Sequence, residues 1–182
     1  DFEAVIVFVN DHLNEEVIQK LAENNIQLIA LRSAGFNNVD LEAADKYGIK
    51  VTRVPAYSPQ AVAEHALALI LTLNRKTHKA YNRVKEGNFS LNNLIGFNVH
   101  DKTVGVIGTG KIGHAFCEIM LGLGCKVVAY DLQKQSTLED KGVIYLSLEE
   151  LYRSADIISL HCPLVPATKH LINEKSIAQM KD

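Results

Sequence analysis

The sequence is short of cysteine, of net charge and of long apolar runs, and each shortage excludes a class of protein. Three cysteines among 182 residues form no Cys-x-x-Cys pair, which argues against a disulfide framework or a zinc site and indicates a reducing compartment, the cytoplasm. The net charge is only −2 and Lys and Arg are scattered, so the basic stripe of a nucleic-acid-binding or membrane-surface protein is missing.

The apolar content, 47% of the residues, predicts a globular protein. The most apolar stretch, residues 66–73, is far shorter than the ~20 residues that span a bilayer, so it predicts a buried helix. The opening stretch "DFEAVIVFVN" has neither the basic region nor the cleavage pattern of a signal peptide. A length of 182 residues suits one ordinary domain or two small ones.

The first third of the chain alternates between predicted strands and helices. Short β-branched runs at residues 4–9, 26–31 and 50–54 predict three buried strands. Asn14 and Asp40 are the predicted N-caps of the intervening helices, the second of which should end at Gly48. This order predicts a parallel sheet whose ligand loops follow the strands, at "RSAGFNN" and "PAYSPQ".

The rest of the chain predicts one long helix, a linker and a second set of strands. Ser58 and Pro59 begin a helix that should continue to about residue 86 and end at Gly87, before a linker at 88–101. Three strands follow, near residues 102–107, 126–131 and 156–161. A complete dinucleotide fold has about six, so we expect this chain to be incomplete, and its abrupt start suggests the same of its front end.

The stretch "GTGKIG" joins the first of these strands to a helix. A Gly-x-Gly-x-x-Gly match alone is weak evidence, but a strand before it and a helix after it are the context that a dinucleotide loop requires. Gly108 would allow the tight turn, Gly110 the close approach of a pyrophosphate, and Gly113 the packing of helix on strand. The free N–H groups of the helix would then face the phosphates.

An acidic residue ends the next strand, as the same motif requires. Asp131 follows "KVVAY", close to the ~20 residues beyond the glycines at which a ribose-binding acid is expected. A carboxylate there would accept hydrogen bonds from the ribose hydroxyls and repel a 2′-phosphate. Leu132 and Gln133 supply no arginine to reverse that preference, so the sequence predicts NAD as the cofactor.

Taken together, five stretches resemble the D-isomer-specific 2-hydroxyacid dehydrogenase family. They lie at residues 31–51, 53–75, 88–97, 105–113 and 156–181. The motifs "AGFNNVD" and "VPAYSPQAVAEHA" are those of its lactate-type branch, whereas the glycine loop is shared by many unrelated enzymes. The resemblance implies an NAD-dependent oxidoreductase that transfers hydride reversibly between NADH and a 2-keto acid, such as pyruvate in fermentation, to give a D-2-hydroxy acid.

The resemblance also implies an architecture. It is a flavodoxin-like, parallel-sheet catalytic domain plus a Rossmann-type NAD-binding domain, both incomplete here, with the active site in the cleft between them. Residues 1–97 would be the N-terminal part of the catalytic domain with its hinge helix. Residues 98–182 would be the first half of the NAD-binding domain, hinged near 95–102. The full-length protein would be a homodimer.

The resemblance also implies which residues of this sequence bind the cofactor and the substrate. Lys111 and Ile112 match positions that cover the pyrophosphate, and Asp131 matches the ribose-binding acid. Further cofactor positions around the adenosine match Cys162, Pro163 and Thr168. Substrate positions match Ala34 and Gly35, whose backbone would hold the carboxylate, and Tyr57, which would face the substrate.

The family's catalytic arginine, glutamate and histidine match no residue of this chain, so we expect no catalytic residue here and no activity from this stretch alone. His65 follows Glu64 directly, and adjacent residues on a helix do not face each other. A packed or hinge-lining role is therefore expected for His65. Two other functions stay open: a dehydrogenase for a bulkier D-2-hydroxy acid, and a non-enzymatic NAD-sensing protein of the same superfamily.

Overall fold

The computed structural model describes residues 2–181, which divide into two compact units between Tyr57 and Ser58. In the first unit the elements are β1 (Ala4–Val7), α1 (Glu15–Glu23), β2 (Leu28–Leu31), α2 (Leu41–Lys46) and β3 (Lys50–Thr52). The three strands are parallel in the order β1-β2-β3. The predicted parallel α/β arrangement is therefore confirmed for this unit.

Local sequence signals set both helix starts of the first unit. The side chain of Asn14 accepts a hydrogen bond from the Val17 N–H at 3.0 Å, and that of Asp40 accepts one from the Ala43 N–H at 3.0 Å. Each cap satisfies one of the N–H groups that a helix leaves free at its first turn. Gly48 adopts the left-handed conformation after α2, with φ of +70°.

The prediction that all three strands of this unit are buried is wrong for β1 and for β3, in which Val51 is half-buried and Lys50 and Thr52 are exposed. Ile6 is 72% exposed, whereas Ile29 of β2 is fully buried. Among the described residues β1 has a strand neighbour on one side only, since β2 alone pairs with it. Ile29 instead packs with Ile18 and Ala44 of the two helices, so the core of this unit is centred on β2.

The predicted single helix from Ser58 to about residue 86 is wrong, because the chain forms two helices. They are α3 (Pro59–Arg75) and α4 (Thr77–Lys85), separated by Lys76 in the left-handed conformation with φ of +52°. The Lys76 ammonium donates to the carbonyl oxygens of Asn93 at 2.9 Å and Ile95 at 3.4 Å. These hydrogen bonds to a segment distant in sequence therefore stabilise the left-handed residue that separates the two helices.

The second sheet has four parallel strands among the described residues, where the sequence predicted three. Its elements are β4 (Thr103–Ile107), α5 (Lys111–Gly122), β5 (Lys126–Tyr130), α6 (Ser136–Glu139), β6 (Ile144–Tyr145), α7 (Leu148–Ser154), β7 (Ile157–Leu160) and α8 (Glu174–Ile177). The strand order is β6-β5-β4-β7. The extra strand, β6, is only two residues long and pairs with β5.

The strand order changes direction between β4 and β7, and this positions the ligand crevice. The chain adds β5 and then β6 on one side of β4 and returns to place β7 on the other side. In parallel α/β sheets, ligands bind beyond the carboxyl ends of the strands at such a reversal. The loops after β4 and β7 therefore meet where a ligand is expected.

The larger of two core clusters in the second unit lies between its sheet and helices α3 and α5, and the smaller one packs β4 and β5 against Leu151 and Tyr152 of α7. Phe116 and Met120 of α5 are fully buried against Val104 and Val106 of β4, and Ala63 of α3 joins them. Contacts thus group α3 with the second unit, while the boundary expected between residues 97 and 98 stays a prediction. No helix within residues 2–181 is long and apolar enough to cross a membrane.

Candidate functional site

The glycine loop after β4 has a backbone that excludes side chains at two of its positions. Gly108 has φ of +93°, and a Cβ there would lie 2.7 Å from the Cys162 nitrogen. A Cβ at Gly113 would lie 1.9 Å from the Gly108 carbonyl oxygen. Gly108 is therefore required because the segment after β7 approaches it closely. Gly113 is required because helix α5 approaches the glycine loop closely at this position.

Gly110 differs from these two, because a Cβ there would meet no atom within 4 Å. It is the N-cap of α5, and no side chain caps the helix. The first N–H groups of this 12-residue helix have no capping side chain, and the helix dipole makes them favourable for an anion. The open face of Gly110 fits a pyrophosphate that lies against the backbone.

A cleft of about 320 Å³ opens beyond the carboxyl ends of β4, β5 and β7. It is lined by Ile107, Gly108, Gly110, Tyr130, Asp131, Leu132, Leu148, His161, Cys162, Pro163, Val165, Ala167, Thr168 and Leu171. Six of the residues proposed from the sequence as cofactor ligands lie here together. They are Gly108, Gly110, Asp131, Cys162, Pro163 and Thr168.

The three remaining predicted cofactor residues begin helix α5. Gly113 is buried and Ile112 is half-buried, while Lys111 is exposed. Lys111 lines a more open depression of about 510 Å³ with Gln60, His114 and Gln135. Gly110 lines both the cleft and the depression, so the helix start connects them.

Asp131 is tied to the glycine loop by several hydrogen bonds. Its Oδ2 accepts from the Thr109 N–H at 2.5 Å and from the Thr109 hydroxyl at 3.1 Å, and its Oδ1 accepts from the Gln133 N–H at 3.0 Å. Partial burial acts to raise the pKa of Asp131, but these hydrogen bonds outweigh it and the pKa is lowered. The carboxylate is therefore ionised and only an acceptor at neutral pH.

Part of the cleft wall is formed by the segment after β7. The Thr168 hydroxyl donates to the Pro163 carbonyl at 2.5 Å and accepts from the Val165 N–H at 2.9 Å, which closes this segment into a turn. Burial lowers the pKa of His161, so its imidazole is neutral at pH 7. Its Nε2 lies 2.9 Å from the Ser159 hydroxyl.

Sequence reasoning missed two residues that support this site, Thr109 and Tyr145. Thr109 occupies a variable position of the glycine motif, yet it is 1% exposed. The Tyr145 hydroxyl donates to Thr109 Oγ1 at 3.0 Å. The buried polar side chain inside the loop needed a partner, but that partner comes from β6, which the sequence did not predict.

The substrate residues expected from the sequence lie in the first unit, in the loops after β2 and β3. Ala34 is half-buried, Gly35 is exposed and Tyr57 is 71% exposed. Arg53 donates to the Ala34 carbonyl at 2.7 Å and so joins the two loops. Its guanidinium carbon also lies 5.2 Å from the centroid of the Phe36 ring.

Two side chains outside these loops are also informative. His65 is exposed on α3, so the expected packed role is wrong, and a hinge-lining role stays a prediction. Cys117 is fully buried in α5, and burial raises the pKa of its thiol to about 12. It belongs to the hydrophobic core of the second unit. Within residues 2–181 no cluster of three acidic, histidine or cysteine side chains could hold a metal ion.

Comparisons with known proteins agree with this geometry. A 2-hydroxyacid dehydrogenase homolog of Haemophilus influenzae is 53% identical over 99% of this chain and 54% of its own length. The D-lactate dehydrogenase of Escherichia coli is 51% identical over 99% of this chain and 55% of its own length. The chain therefore spans about half the length of the curated relatives that it matches.

Solved structures give the same result. The D-lactate dehydrogenase of Aquifex aeolicus, solved as a complex with NAD and lactic acid, is 45% identical to this chain with a TM-score of 0.90. The match covers 99% of this chain and 54% of that one. The family model described as the NAD binding domain of D-isomer specific 2-hydroxyacid dehydrogenases matches residues 67–182. The chain belongs to the D-isomer specific 2-hydroxyacid dehydrogenases.

Proposed function

We propose that the protein is an NAD-dependent D-lactate dehydrogenase, which interconverts pyruvate and D-lactate. The observation that carries the proposal is the cleft beyond β4, β5 and β7, where the glycine loop, Asp131 and the segment after β7 meet. The name of the Escherichia coli relative, at 51% identity, supports lactate as the hydroxy acid.

In this proposal the second unit holds the cofactor, which supplies or accepts the hydride when bound. The N–H groups of residues 110–112 bind the pyrophosphate, and Lys111 adds a positive charge beside it. Gly108 and Gly113 hold the loop so that this helix start stays open. Asp131 accepts from the adenosine ribose, while Cys162, Pro163 and Thr168 flank the adenosine.

The ionised Asp131 also decides between NAD and NADP. A 2′-phosphate would bring negative charge against a carboxylate whose pKa is already lowered, and like charges at short range repel. Leu132 is 90% exposed and Gln133 is exposed, and neither supplies a cation. We therefore expect NADH to bind much more tightly than NADPH.

The first unit would hold the keto acid. The backbone N–H groups of Ala34 and Gly35 would bind its carboxylate, and Tyr57 would face its side chain. Two hydrogen bonds fix this loop from within the unit, the one from Arg53 to Ala34 and one from the Ser33 hydroxyl to the Gly35 carbonyl at 2.7 Å. These bonds engage carbonyl groups and leave the N–H groups of the loop available.

The test is NADH oxidation by the protein that carries this chain, with pyruvate as the substrate. Turnover that is fastest with pyruvate supports the proposal. Faster turnover with a branched 2-keto acid would indicate a dehydrogenase for a bulkier D-2-hydroxy acid. NADH binding without turnover of any 2-keto acid would indicate an NAD-sensing protein, and the absence of NADH binding would overturn the cofactor site itself.

We also propose a homodimer in the cytoplasm. Arg83 donates to the carbonyl oxygens of Ser90 at 3.1 Å and Asn92 at 2.6 Å, which holds the segment after α4 in place. Leu91 of that segment is nevertheless 77% exposed, and a second copy of the chain would bury it. All three cysteines are free thiols. A monomeric mass in sedimentation experiments would contradict the dimer.

A further inference from the structure

The hydroxyl group of Thr109 is the middle of a continuous chain of hydrogen bonds under the glycine loop. The Gln135 N–H donates to the Tyr145 hydroxyl at 3.1 Å, and that hydroxyl lies 3.0 Å from Thr109 Oγ1. Thr109 Oγ1 in turn lies 3.1 Å from Asp131 Oδ2. This series of hydrogen bonds thus connects the residue before α6, strand β6, the glycine loop and the residue after β5.

The direction of every hydrogen bond in this chain is fixed by its two ends. A backbone N–H can only donate and an ionised carboxylate can only accept. The Tyr145 oxygen therefore accepts from Gln135, and its hydrogen points to Thr109. The Thr109 hydrogen then points to Asp131, so each hydroxyl group accepts one bond and donates one, and the carboxylate receives the last bond.

The pairing of β6 with β5 explains why Tyr145 reaches this position. The two strands are in register with Tyr145 beside Ala129, two residues before Asp131. The Leu146 N–H donates to the Ala129 carbonyl at 2.9 Å and continues the pairing. A strand of only two residues therefore places the Tyr145 hydroxyl within hydrogen-bond distance of Thr109 in the glycine loop.

This arrangement restricts how the Asp131 carboxylate can turn. The last torsion of an aspartate side chain is broad and needs external contacts to define it. Thr109 holds Oδ2 with both its N–H and its hydroxyl, while Oδ1 accepts one N–H bond from Gln133. Oδ1 thus keeps an acceptor position for a further donor.

We propose that Tyr145, acting through Thr109, is a positioning residue that orients the Asp131 carboxylate so that Oδ1 accepts from the 2′-hydroxyl of the adenosine ribose. The inference rests on the proposed function, because it needs NAD in the cleft. Without the Tyr145 hydroxyl, the Thr109 hydroxyl is free to rotate away, and Asp131 loses one of the bonds that fixes it.

The experiment compares two ligands: NADH, and the NADH analogue that lacks the 2′-hydroxyl of the adenosine ribose. Binding of each is measured by fluorescence titration with the protein that carries this chain. We expect the unaltered protein to favour NADH by about tenfold. Tyr145→Phe should reduce this preference by about threefold or more, as expected when a neutral hydrogen bond that positions Asp131 is lost.

Two further pairs of variants separate positioning from general stability. Thr109→Val should reduce the preference as Tyr145→Phe does, whereas Thr109→Ser keeps the hydroxyl and should retain it. Tyr152→Phe is the matched control, since its hydroxyl donates to the Leu171 carbonyl at 3.4 Å and makes no bond to the glycine loop. We expect that variant to retain the full preference.

The outcomes separate this inference from the proposed function. If Tyr145→Phe weakens both ligands equally, the hydroxyl only stabilises the fold and the inference is wrong, while the cofactor site stands. An unchanged preference in both Tyr145→Phe and Thr109→Val would also overturn it. If the unaltered protein does not bind NADH, or does not distinguish the two ligands, the role proposed for Asp131 itself fails.

Discussion

The two units repeat one construction, a parallel sheet with helices between its strands, but their loops differ in chemistry. In the second unit the loop after the first strand carries two glycines and leads into a helix that has a third glycine in its first turn and no side-chain cap. In the first unit the corresponding helix α1 is capped by Asn14. An N-cap side chain occupies the N–H groups that a phosphate would need.

The comparison shows that topology sets where a ligand site forms, while local residues set which ligand is bound. Both units place candidate ligand residues in the loops that follow their strands. Only the second unit combines an open helix start with an acid at the end of the next strand, and we infer that it alone takes the dinucleotide. Four predictions test this difference, from the largest expected effect to the smallest.

The first prediction concerns Gly113, where the loop and helix α5 touch. Gly113→Ala places a Cβ 1.9 Å from the Gly108 carbonyl, so the backbone must shift and the helix start moves. We expect NADH affinity to fall at least about 100-fold and the free energy of unfolding to fall by about 1–3 kcal/mol. Fluorescence titration and urea unfolding measure these two effects.

Two alanine variants serve as controls for Gly113. A Cβ at Gly122 in the same helix, or at Gly35 in the first unit, would meet no atom within 4 Å. Gly122→Ala should leave NADH binding unchanged and stabilise slightly, since alanine favours helix. If Gly113→Ala bound NADH as well as Gly122→Ala does, the close approach would have no role in cofactor binding.

The second prediction concerns the choice of cofactor. Asp131→Asn removes the negative charge but keeps the shape of the side chain, so repulsion of a 2′-phosphate disappears. We expect about a tenfold loss of NADH affinity together with a gain in NADPH affinity, read as the ratio of the two Kd values. Asp156→Asn is the control, because Asp156 binds the Thr103 N–H at the start of β4, the opposite end of that strand. An unchanged ratio in Asp131→Asn would contradict the account.

The third prediction concerns pH and His161 in the cleft wall. Burial lowers the pKa of His161, so below about pH 6.5 the unfolded chain takes up a proton that the folded protein resists. The folded protein therefore loses stability as the pH falls from about 6.5 towards the lower pKa that His161 has in the folded state. We expect unfolding experiments to show His161→Gln losing less stability than the unaltered protein between pH 7 and 5.

The difference between these two proteins should be constant between pH 7 and 8, where the histidine is neutral in both states. A difference that grows with rising pH above 7 would mean that another group is titrating. If both proteins lost stability in parallel below pH 6.5, His161 would not be the buried group that resists protonation.

The fourth prediction concerns the first unit and has the smallest effect. Arg53→Lys weakens the hydrogen bond to the Ala34 carbonyl and removes the contact of the guanidinium with the Phe36 ring. We expect KM for the keto acid to rise about threefold while the Kd for NADH stays unchanged. Lys46→Ala in the same unit is the control, because Lys46 pairs with Glu15 on an exposed surface. A change in NADH affinity with Arg53→Lys would remove the distinction between the units.

Features set by neighbouring residues could be predicted from the sequence. Asn14, Asp40 and Ser58 all cap helices as predicted, because a cap depends on a side chain and an N–H group three residues away. The parallel order of strands also followed, since alternating strands and helices permit few other arrangements. Asp131 and the glycines were identified from their spacing together with the predicted strands and helix around them.

Features that depend on distant contacts could not be predicted. The break at Lys76 interrupts a continuous helical pattern and is held by carbonyl groups 17 and 19 residues away. Strand β6 is two residues long and gives no periodic signal, so Tyr145 was missed together with its bond to Thr109. The exposure of Ile6 depends on which strands neighbour β1, which local sequence does not specify.

The most direct test of the central claim is a crystal structure of the protein that carries this chain with NAD⁺ bound. The account predicts the pyrophosphate on the N–H groups of residues 110–112 and the adenosine between Asp131 and Pro163, with a ribose hydroxyl within hydrogen-bond distance of Asp131 Oδ1. A dinucleotide bound away from the glycine loop, or a ribose that does not contact Asp131, would contradict it.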